Sequence, residues 1–262
     1  MTDNAHFKTI SCQECLSGAG LDFEFTMAFQ PFVDADSGGI FGYEALVRGP
    51  QGESAPSILK QVTDANRYRF DQACRVKAIQ LAAELELPGV LSINFLPGAI
   101  YRPETCIRAT LEAAQELHFA RERLMFEVTE GEKITNHAHL RGIFTEYKKQ
   151  GFLTAIDDFG AGYAGLALLA EFQPDFIKLD MALTRNIDKD VVRQAIVSGI
   201  LATCGALKLG VIAEGIEAKE EFLFLRDKGI RYYQGYLFAR PGFRSLPDIT
   251  PEGRAVLESA GR

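Results

Sequence analysis

The sequence predicts an α/β protein, a modified TIM (β/α)8 barrel whose first strand runs antiparallel to the rest. Three observations favour this fold. Eight short apolar segments alternate with helical patterns from about residue 23, the 262 residues match the length of one such barrel, and one connection is too short to hold a helix.

The predicted strands are mostly continuous apolar runs, as expected for parallel strands that are covered on both faces. They are Phe25–Val33, Phe41–Val47, Val90–Phe95, Leu124–Val128, Leu153–Ile156, Phe176–Leu179, Gly210–Ala213 and Tyr232–Phe238. Between them, apolar residues recur at helical spacing and predict amphipathic helices. Two such stripes are Phe70, Cys74, Leu81 and Leu85, and Val192, Ile196, Ile200 and Thr203.

The first two strands are joined only by Asp34–Gly39. A parallel pair needs a crossover of about a dozen residues or more, whereas a hairpin needs only a few. We therefore expect an antiparallel first strand. The predicted organisation is an N-terminal extension over 1–22, a barrel domain that carries the catalytic site over 23–247 and a C-terminal tail over 248–262, as a stand-alone domain or part of a longer chain.

Composition excludes several classes of protein. The chain has 28 Lys and Arg against 35 Asp and Glu, a net charge of −7, which disfavours a protein that coats nucleic-acid polymers. We found no apolar run long enough for a membrane span and no secretory signal, so we expect a cytoplasmic protein. The five cysteines imply no disulfide framework. The Cys12-x-x-Cys15 pair lacks further ligands, which favours two incidental thiols over a zinc or redox site.

Polar side chains cluster at the predicted C-terminal ends of the strands, where active sites of α/β barrels are built. They are Glu44, Asn94, Glu127, Glu130, Asp157, Asp158, Lys178, Asp180, Glu214, Glu217 and Gln234. Any one carboxylate could cap a helix, and Lys178 could serve a buried ion pair. The carboxylates of the whole set would repel one another without further cations, because the one lysine offsets only one of their negative charges.

The donor atoms indicate which cations would bind. The candidate ligands offer only oxygens, and the four histidines, His6, His118, His137 and His139, fall outside the strand ends. Such sites suit Mg²⁺ or Mn²⁺ better than zinc. The adjacent Asp157 and Asp158 allow one carboxylate to bridge two ions, the usual arrangement for attack of water on a phosphodiester. Arg48 could bind a phosphate or form a surface salt bridge.

These residues resemble the motifs of the EAL-type cyclic di-GMP phosphodiesterases. The matching segments follow in order: Glu44-Ala45-Leu46 with Arg48, Asn94, Glu127-Val-Thr-Glu130, Asp157–Tyr163, Pro174–Asp180, Ala213–Glu217 and Gln234–Pro241. The resemblance implies metal-dependent hydrolysis of cyclic di-GMP to linear pGpG in bacterial second-messenger signalling, with two Mg²⁺ or Mn²⁺ ions and inhibition by Ca²⁺.

The resemblance also implies residue roles. The first metal would be held by Glu44, Asn94, Glu127 and Asp157, and the second by Asp157, Asp158 and Glu214. Lys178 would position the attacking water or stabilise charge on the phosphate, with Glu217 and Gln234 supporting the site. Substrate would be bound by Gln30, Leu46, Arg48, Asp71 and Pro241, with Arg48 on a phosphate and Leu46, Asp71 and Pro241 at the guanines.

The resemblance makes Glu130 an anchor of the loop after Asp158, which it links to a homodimer contact. In that loop Ala161 replaces a Thr and Ala164-Gly165 replaces a Ser-Ser pair, which we interpret as tolerated because every metal-ligand position is retained. Two alternatives remain open. One is a catalytically silent receptor of cyclic di-GMP that signals through a partner, and the other is an unrelated metal-dependent barrel hydrolase of another phosphoester.

Overall fold

The computed structural model describes residues 21–129, 137–162 and 165–260. The predicted pair Cys12 and Cys15 therefore lies outside the described residues. The described part of the chain contains nine strands: β1 Thr26–Asp34, β2 Gly39–Arg48, β3 Val90–Asn94, β4 Leu124–Thr129, β5 Leu153–Phe159, β6 Phe176–Leu179, β7 Gly210–Ala213, β8 Tyr232–Tyr233 and β9 Gly242–Phe243.

Helices follow most of the strands. They are α1 Ala55–Leu59, α2 Arg67–Glu84, α3 Pro103–Cys106, α4 Arg108–Glu116, α5 His137–Lys149, α6 Gly165–Glu171, α7 Met181–Thr184, α8 Val191–Leu207, α9 Lys219–Asp227 and α10 Pro251–Ala260, with 3₁₀ turns at Pro97–Ala99 and Arg121–Arg123. No helix within the described ranges has both the length and the apolar character needed to cross a bilayer.

The strands close into a barrel in the order β2-β3-β4-β5-β6-β7-β8-β1, and β1 returns to pair with β2. Strands β2 to β8 are parallel, whereas β1 is antiparallel to both of its barrel neighbours. The predicted fold and its antiparallel first strand are confirmed. A tight turn joins β1 to β2, where the Gly38 N–H donates to the Asp34 carbonyl over 2.8 Å and Gly38 has a φ of 69°.

The prediction for the eighth strand is wrong beyond Tyr233. The chain leaves the sheet at Gln234 and folds over the loop after β7. The Ile216 N–H donates to the Gln234 carbonyl over 3.1 Å, and the Leu237 N–H donates to the Ile216 carbonyl over 3.0 Å. Gly235 permits this crossing, because a Cβ there would lie 2.1 Å from the Ile216 oxygen. The bend places Gln234 at the rim of the barrel.

The two predicted apolar stripes have different outcomes. Along α2, Phe70, Cys74 and Leu81 are buried as expected.

On α8 the prediction is wrong for Val192 and Ile196, which are exposed, and correct for Ile200, which is buried together with Val197 and Cys204. This helix is apolar around most of its circumference, so hydrophobic spacing alone does not select the face that packs on the barrel.

Aromatic rings fill the N-terminal end of the barrel. Phe41, Phe176 and Tyr232 pack together with ring centroids 4.5–5.7 Å apart. Phe32 packs in the same cluster and is fully buried. The Nζ of Lys178 lies 5.9 Å from the centroid of the Phe32 ring, so this ring separates the apolar floor from the polar site above it.

Candidate active site

Lys178 on β6 is the centre of a buried charge cluster. Its Nζ lies 3.2 Å from Glu44 Oε2, 2.9 Å from Glu127 Oε2, 3.0 Å from Asp157 Oδ1 and 2.8 Å from Glu214 Oε1. These carboxylates come from β2, β4, β5 and the end of β7, so four separate segments converge on one ammonium group. The predicted clustering of these residues is what the barrel geometry produces.

Two amides orient Glu44. Asn94 Nδ2 at the end of β3 donates to Glu44 Oε1 over 2.9 Å, and Gln234 Nε2 donates to Glu44 Oε2 over 2.9 Å. Both carboxylate oxygens of Glu44 are thus fixed by neighbours on either side of β2. The structure brings Asn94 and Gln234 to the site as predicted, although Asn94 contacts Glu44 through its amino group.

The end of β5 turns sharply so that two consecutive carboxylates reach the site. Asp158 has a φ of 53°, and its N–H donates to Asp157 Oδ1 over 2.9 Å. Gly160 follows with a φ of 98°, and a Cβ there would lie 2.3 Å from Leu183 Cδ1. Aspartate tolerates the left-handed region better than most residues, and glycine is the only residue that fits the second position without strain.

Burial and mutual repulsion dominate the electrostatics. Burial raises the pKa of Glu127 and of Glu214, although Lys178 opposes the shift in both. The pKa of Asp158 rises to about 6, first through burial and then through Asp157 and Asp180. The surrounding carboxylates raise the pKa of Lys178 well above its ordinary value against the cost of its burial. Lys178 therefore stays charged, and the carboxylates of Glu127, Asp158 and Glu214 are costly to ionise unless further cations bind beside them.

The arrangement fits divalent metal ions. Glu44, Glu127 and Asp157 form one group of oxygens within 4.8 Å of one another, and Asp157, Asp158 and Glu214 form a second. Asp157 belongs to both groups, as expected for a bridging ligand.

Two further observations support this fit. Five ionised carboxylates against one ammonium leave four excess negative charges, which two divalent cations would neutralise. Among the described residues, Gln234 Oε1 is buried without a hydrogen-bond partner, which is costly unless a ligand satisfies it. Within the described ranges, neither group includes a histidine or cysteine, so the donors favour Mg²⁺ or Mn²⁺ over zinc.

Two cavities flank the charged cluster. One of about 270 Å³, here called the polar cavity, is lined mainly by charged and polar residues, among them Gln30, Glu44, Asp158, Glu214, Glu217 and Gln234. The other, of about 340 Å³, is mainly apolar and is lined by Leu46, Leu59, Phe70, Asp71, Asn94 and Phe95 among others. Glu44 lines the first and Asn94 the second, so both open next to the metal-binding oxygens.

The predicted substrate residues divide between these spaces. Gln30 lines the polar cavity, where its Nε2 donates to the Ala239 carbonyl over 3.2 Å, whereas Leu46 and Asp71 line the apolar cavity. Arg48 and Pro241 line neither of the two, and Arg48 Nη1 donates to the Val47 carbonyl over 2.7 Å. Their roles in binding stay predictions.

Asp71 is held in place by a buried network. Its Oδ1 accepts from the Leu96 N–H over 2.8 Å, and its Oδ2 lies 2.7 Å from Arg75 Nη2. Arg75 is fully buried, donates to the Tyr147 hydroxyl over 2.5 Å and lies over the ring of Phe126. Asp71 thus has two roles: its carboxylate is a polar group in the wall of the apolar cavity, and its hydrogen bond to Leu96 connects α2 to the end of β3.

Two predicted residues stand apart from the cluster. Glu217 is exposed, pairs with Arg185 Nη2 over 2.8 Å and lines the polar cavity without contacting Lys178. That hydrogen bond lowers the pKa of Glu217. Glu130 lies outside the described residues, as do Tyr163 and Ala164 of the loop after β5.

Sequence reasoning missed three residues that contact the loop after β7, namely Thr184, Arg185 and Glu221. Thr184 Oγ1 donates to the Glu214 carbonyl over 2.6 Å. Glu221 Oε2 accepts from the N–H groups of Glu217 and Ala218. Its place in the first turn of α9, three residues after Ala218, is typical of a capping glutamate and is a signal that could have identified it.

The fold and site define a class of protein: an α/β barrel with an acidic, oxygen-lined centre for divalent cations at the C-terminal ends of its strands. The model of the EAL domain family matches residues 16–241. The chain belongs to the EAL domain family.

Two solved structures share the fold. A standalone EAL protein of Vibrio cholerae O395, in a form bound to c-di-GMP, is 55% identical with a TM-score of 0.87, and the match covers 89% of this chain and 99% of that one. BlrP1 of Klebsiella pneumoniae, in a complex with manganese and cyclic di-GMP, is 37% identical with a TM-score of 0.81, over 86% of this chain and 58% of that one.

Curated relatives carry different names. The blue light- and temperature-regulated antirepressor BluF of Escherichia coli is 35% identical over 225 residues, which cover 85% of this chain and 55% of BluF. Other relatives are named cyclic di-GMP phosphodiesterases. The chain spans about half or less of the length of the first curated relatives that it matches.

Proposed function

We propose that this chain hydrolyses cyclic di-GMP to linear pGpG with two Mg²⁺ or Mn²⁺ ions, and that Ca²⁺ inhibits it. One observation carries the proposal: within the described part of the chain, five carboxylates cluster beside a cavity with apolar walls, four of them contact the buried Lys178, and Gln234 Oε1 is buried without a partner. The names of its relatives support cyclic di-GMP as the substrate class.

The site residues divide the work between metal binding and charge stabilisation. Glu44, Asn94, Glu127 and Asp157 would hold one ion, and Asp157, Asp158 and Glu214 the other. When bound, the two ions would lower the pKa of an attacking water and neutralise charge on the phosphodiester. Asn94 is hydrogen-bonded to Glu44 through its amino group, which leaves its amide oxygen as the donor atom for an ion.

Lys178 has a different task, because it is held 2.8–3.2 Å from four carboxylates and keeps its proton. It would fix the ligands in place and stabilise negative charge on the phosphate or on the water.

The two cavities suit the two kinds of group in a cyclic dinucleotide. The apolar cavity would accept a guanine between aliphatic and aromatic side chains, with the Asp71 carboxylate as an acceptor for its N–H groups. The polar cavity, with Arg185 in its wall, would accept the sugar and phosphate portion. Arg48 and Pro241 would contact the substrate from outside these two cavities.

The family resemblance adds three proposals. The chain would act in the cytoplasm, its barrel domain would extend over 23–247, and two copies would associate through the loop after Asp158, anchored by Glu130.

Turnover of cyclic di-GMP by the wild type and by Glu44→Gln tests the function. We expect conversion that requires Mg²⁺ or Mn²⁺ and falls more than about 100-fold in the variant, because even indirect metal supports cost about 10–100-fold. Glu122→Gln, at an exposed position, is the matched control. Tight binding of cyclic di-GMP without its conversion would favour the catalytically silent receptor, an alternative consistent with the similarity to the antirepressor BluF. Hydrolysis of a simple phosphodiester as fast as cyclic di-GMP would favour another phosphoesterase.

A further inference from the structure

Three consecutive residues after β6 contact the loop that carries Glu214. Thr184 Oγ1 donates to the Glu214 carbonyl over 2.6 Å, Arg185 Nη2 pairs with Glu217 Oε1 over 2.8 Å, and the Asn186 N–H donates to Glu221 Oε1 over 2.8 Å. We name this set of contacts the 184–186 clasp. Each residue of the clasp contacts a different residue of the 214–221 segment.

Glu221 joins both sides of the clasp. Its carboxylate is only 2% exposed; Oε1 accepts from Asn186, and Oε2 accepts from the N–H groups of Glu217 and Ala218 over 3.1 Å each. One buried side chain therefore caps α9 and fastens its start to the segment after β6. A hydrogen bond to a charged acceptor is stronger than one between neutral groups.

The two segments also touch directly. Gly215 has a φ of 65°, and a Cβ there would lie 2.5 Å from Met181 Cβ. Thr184 is fully buried, and Leu183 packs on Gly160 in the turn that carries Asp158. The short helix α7 thus lies between the two turns that supply the second group of metal-binding oxygens, Asp158 on one side and Glu214 on the other.

We propose that Thr184 and Glu221 are positioning residues for the metal centre: through the 184–186 clasp they fix the peptide of Glu214 and hold its carboxylate beside Asp157 and Asp158. The inference rests on the proposed function in that the oxygens it aligns are taken as metal ligands. Neither side chain lines the two cavities beside the site, so neither acts through the substrate: Thr184 acts on Glu214 directly, and Glu221 acts through Asn186 and the amides of Glu217 and Ala218.

The first test compares Thr184→Val with Thr184→Ser. Valine has the shape of threonine but cannot donate to the Glu214 carbonyl, whereas serine retains the hydroxyl. We expect valine to weaken Mn²⁺ binding, measured by calorimetry on the metal-free protein, by about 10–100-fold, the usual effect of removing a support of a metal ligand. Serine should restore binding to within a few fold of wild type. Thr110→Val is the matched control, since Thr110 is equally buried on α4 and its hydroxyl has no hydrogen-bond partner among the described residues.

The second test uses Glu221→Ala and separates positioning from general loss of structure. The variant should lower kcat at limiting Mn²⁺, leave the KM for cyclic di-GMP within about twofold, and recover turnover as Mn²⁺ is raised. A residue that only stabilised the fold would lower the melting temperature without changing the Mn²⁺ dependence.

Unchanged Mn²⁺ affinity in both Thr184→Val and Glu221→Ala would overturn the inference, as would a serine variant as impaired as the valine variant. If the wild type binds Mn²⁺ but fails to hydrolyse cyclic di-GMP, the proposed function fails while the affinities still decide on the clasp. If the wild type binds no Mn²⁺, both fall.

Discussion

The two ends of the barrel use the same kinds of charged side chain in opposite ways. At the C-terminal rim, five carboxylates surround one lysine, and the pKa of Asp158 rises to about 6. At the N-terminal end, Asp34 and Asp36 face two arginines, and the hydrogen bond from Arg231 is the main cause that lowers the pKa of Asp34 to about 2.

The N-terminal end satisfies its charges within the protein. Arg231 Nε and Nη2 each donate to one oxygen of Asp34 over 2.7 Å, and Arg226 Nη1 donates to Asp36 Oδ1 over 2.6 Å. Bidentate pairs of this kind are among the stronger ionic contacts in proteins. The packed rings of Phe41 and Tyr232 lie at this end of the same strands.

The comparison shows how one scaffold supports stability and metal binding at once. The ion pairs at the N-terminal end stabilise the fold without a ligand, whereas the carboxylates at the C-terminal rim repel one another unless cations bind. The excess charge at the rim is therefore a feature of function that the rest of the fold must offset. Three predictions test that difference: two of them alter the charge balance of one end each, and the third compares the response of both ends to pH.

The largest effect is expected from Lys178→Met, which removes the ammonium that, among the described residues, contacts all four carboxylates. Leaving a buried charge without its partner costs about 3–5 kcal/mol. We predict a loss of this size in the free energy of unfolding of the metal-free protein, together with loss of turnover. Added Mn²⁺ should raise the melting temperature of the variant more than that of wild type, because the ion replaces part of the missing positive charge.

Lys228→Met provides the control for this experiment, since Lys228 is exposed and its Nζ lies over the ring of Phe224. Chemical denaturation with and without metal measures both variants. A Lys178→Met protein as stable as wild type in the absence of metal would show that the rim carboxylates are protonated and that the charge imbalance is not real.

The sequence contained most of the site but not the side chains that orient it. Glu44, Asn94 and Lys178 could be predicted because parallel strands of a barrel bring their C-terminal ends to one rim. Thr184 could not, because its role depends on two loops lying side by side, whereas the position of Glu221 indicates a helix cap but not its contact with Asn186. Gln234 was predicted for the right place but on too long a strand.

Helix orientation marks another limit of the sequence. Along α2 the predicted Phe70, Cys74 and Leu81 are buried, and Leu85, one residue past the helix, is half-buried. On α8, valine and isoleucine occur on both sides of the helix, so spacing favoured Val192 and Ile196 over the buried Val197. Contacts outside the pattern select the face: Arg193 Nε donates to the Ala182 carbonyl over 2.8 Å and fixes the start of the helix against α7.

The second prediction concerns the N-terminal end. Arg231→Met removes the bidentate pair with Asp34, and we expect a modest loss in unfolding free energy, because Arg231 is half exposed and solvent screens the pair. Mn²⁺ affinity and turnover should stay unchanged, because the pair lies at the opposite end of the barrel.

Arg254→Met breaks a more exposed ion pair, between Arg254 and Asp248, and serves as the control, with an expected loss below about 1 kcal/mol. Thermal and chemical denaturation measure stability, and calorimetry measures Mn²⁺ binding. A loss of Mn²⁺ affinity in Arg231→Met would mean that the two ends of the barrel are coupled, against the separation argued above.

The smallest effect is expected from pH, where the two ends should respond with opposite sign in the metal-free protein. The folded pKa of Asp158, about 6, exceeds its ordinary value of 3.8, so the folded state takes up this proton first and gains stability as pH falls through about 6. Asp34 has a folded pKa of about 2, so its contribution to stability is present above pH 3.8 and is lost as pH falls from there towards 2.

The free energy of unfolding of the metal-free protein should therefore rise slightly from pH 7.5 to 5.5 and decline below pH 4. The rise should shrink by less than about 1 kcal/mol in Asp158→Asn, after allowing for solvent screening, and the decline should shrink in Arg231→Met. With saturating Mn²⁺ the rise should reverse, because protons then compete with the ion for the carboxylates. A metal-free stability that falls steadily from pH 7.5 to 5.5 would contradict the assignment of the rim as the end whose carboxylates are destabilised when ionised.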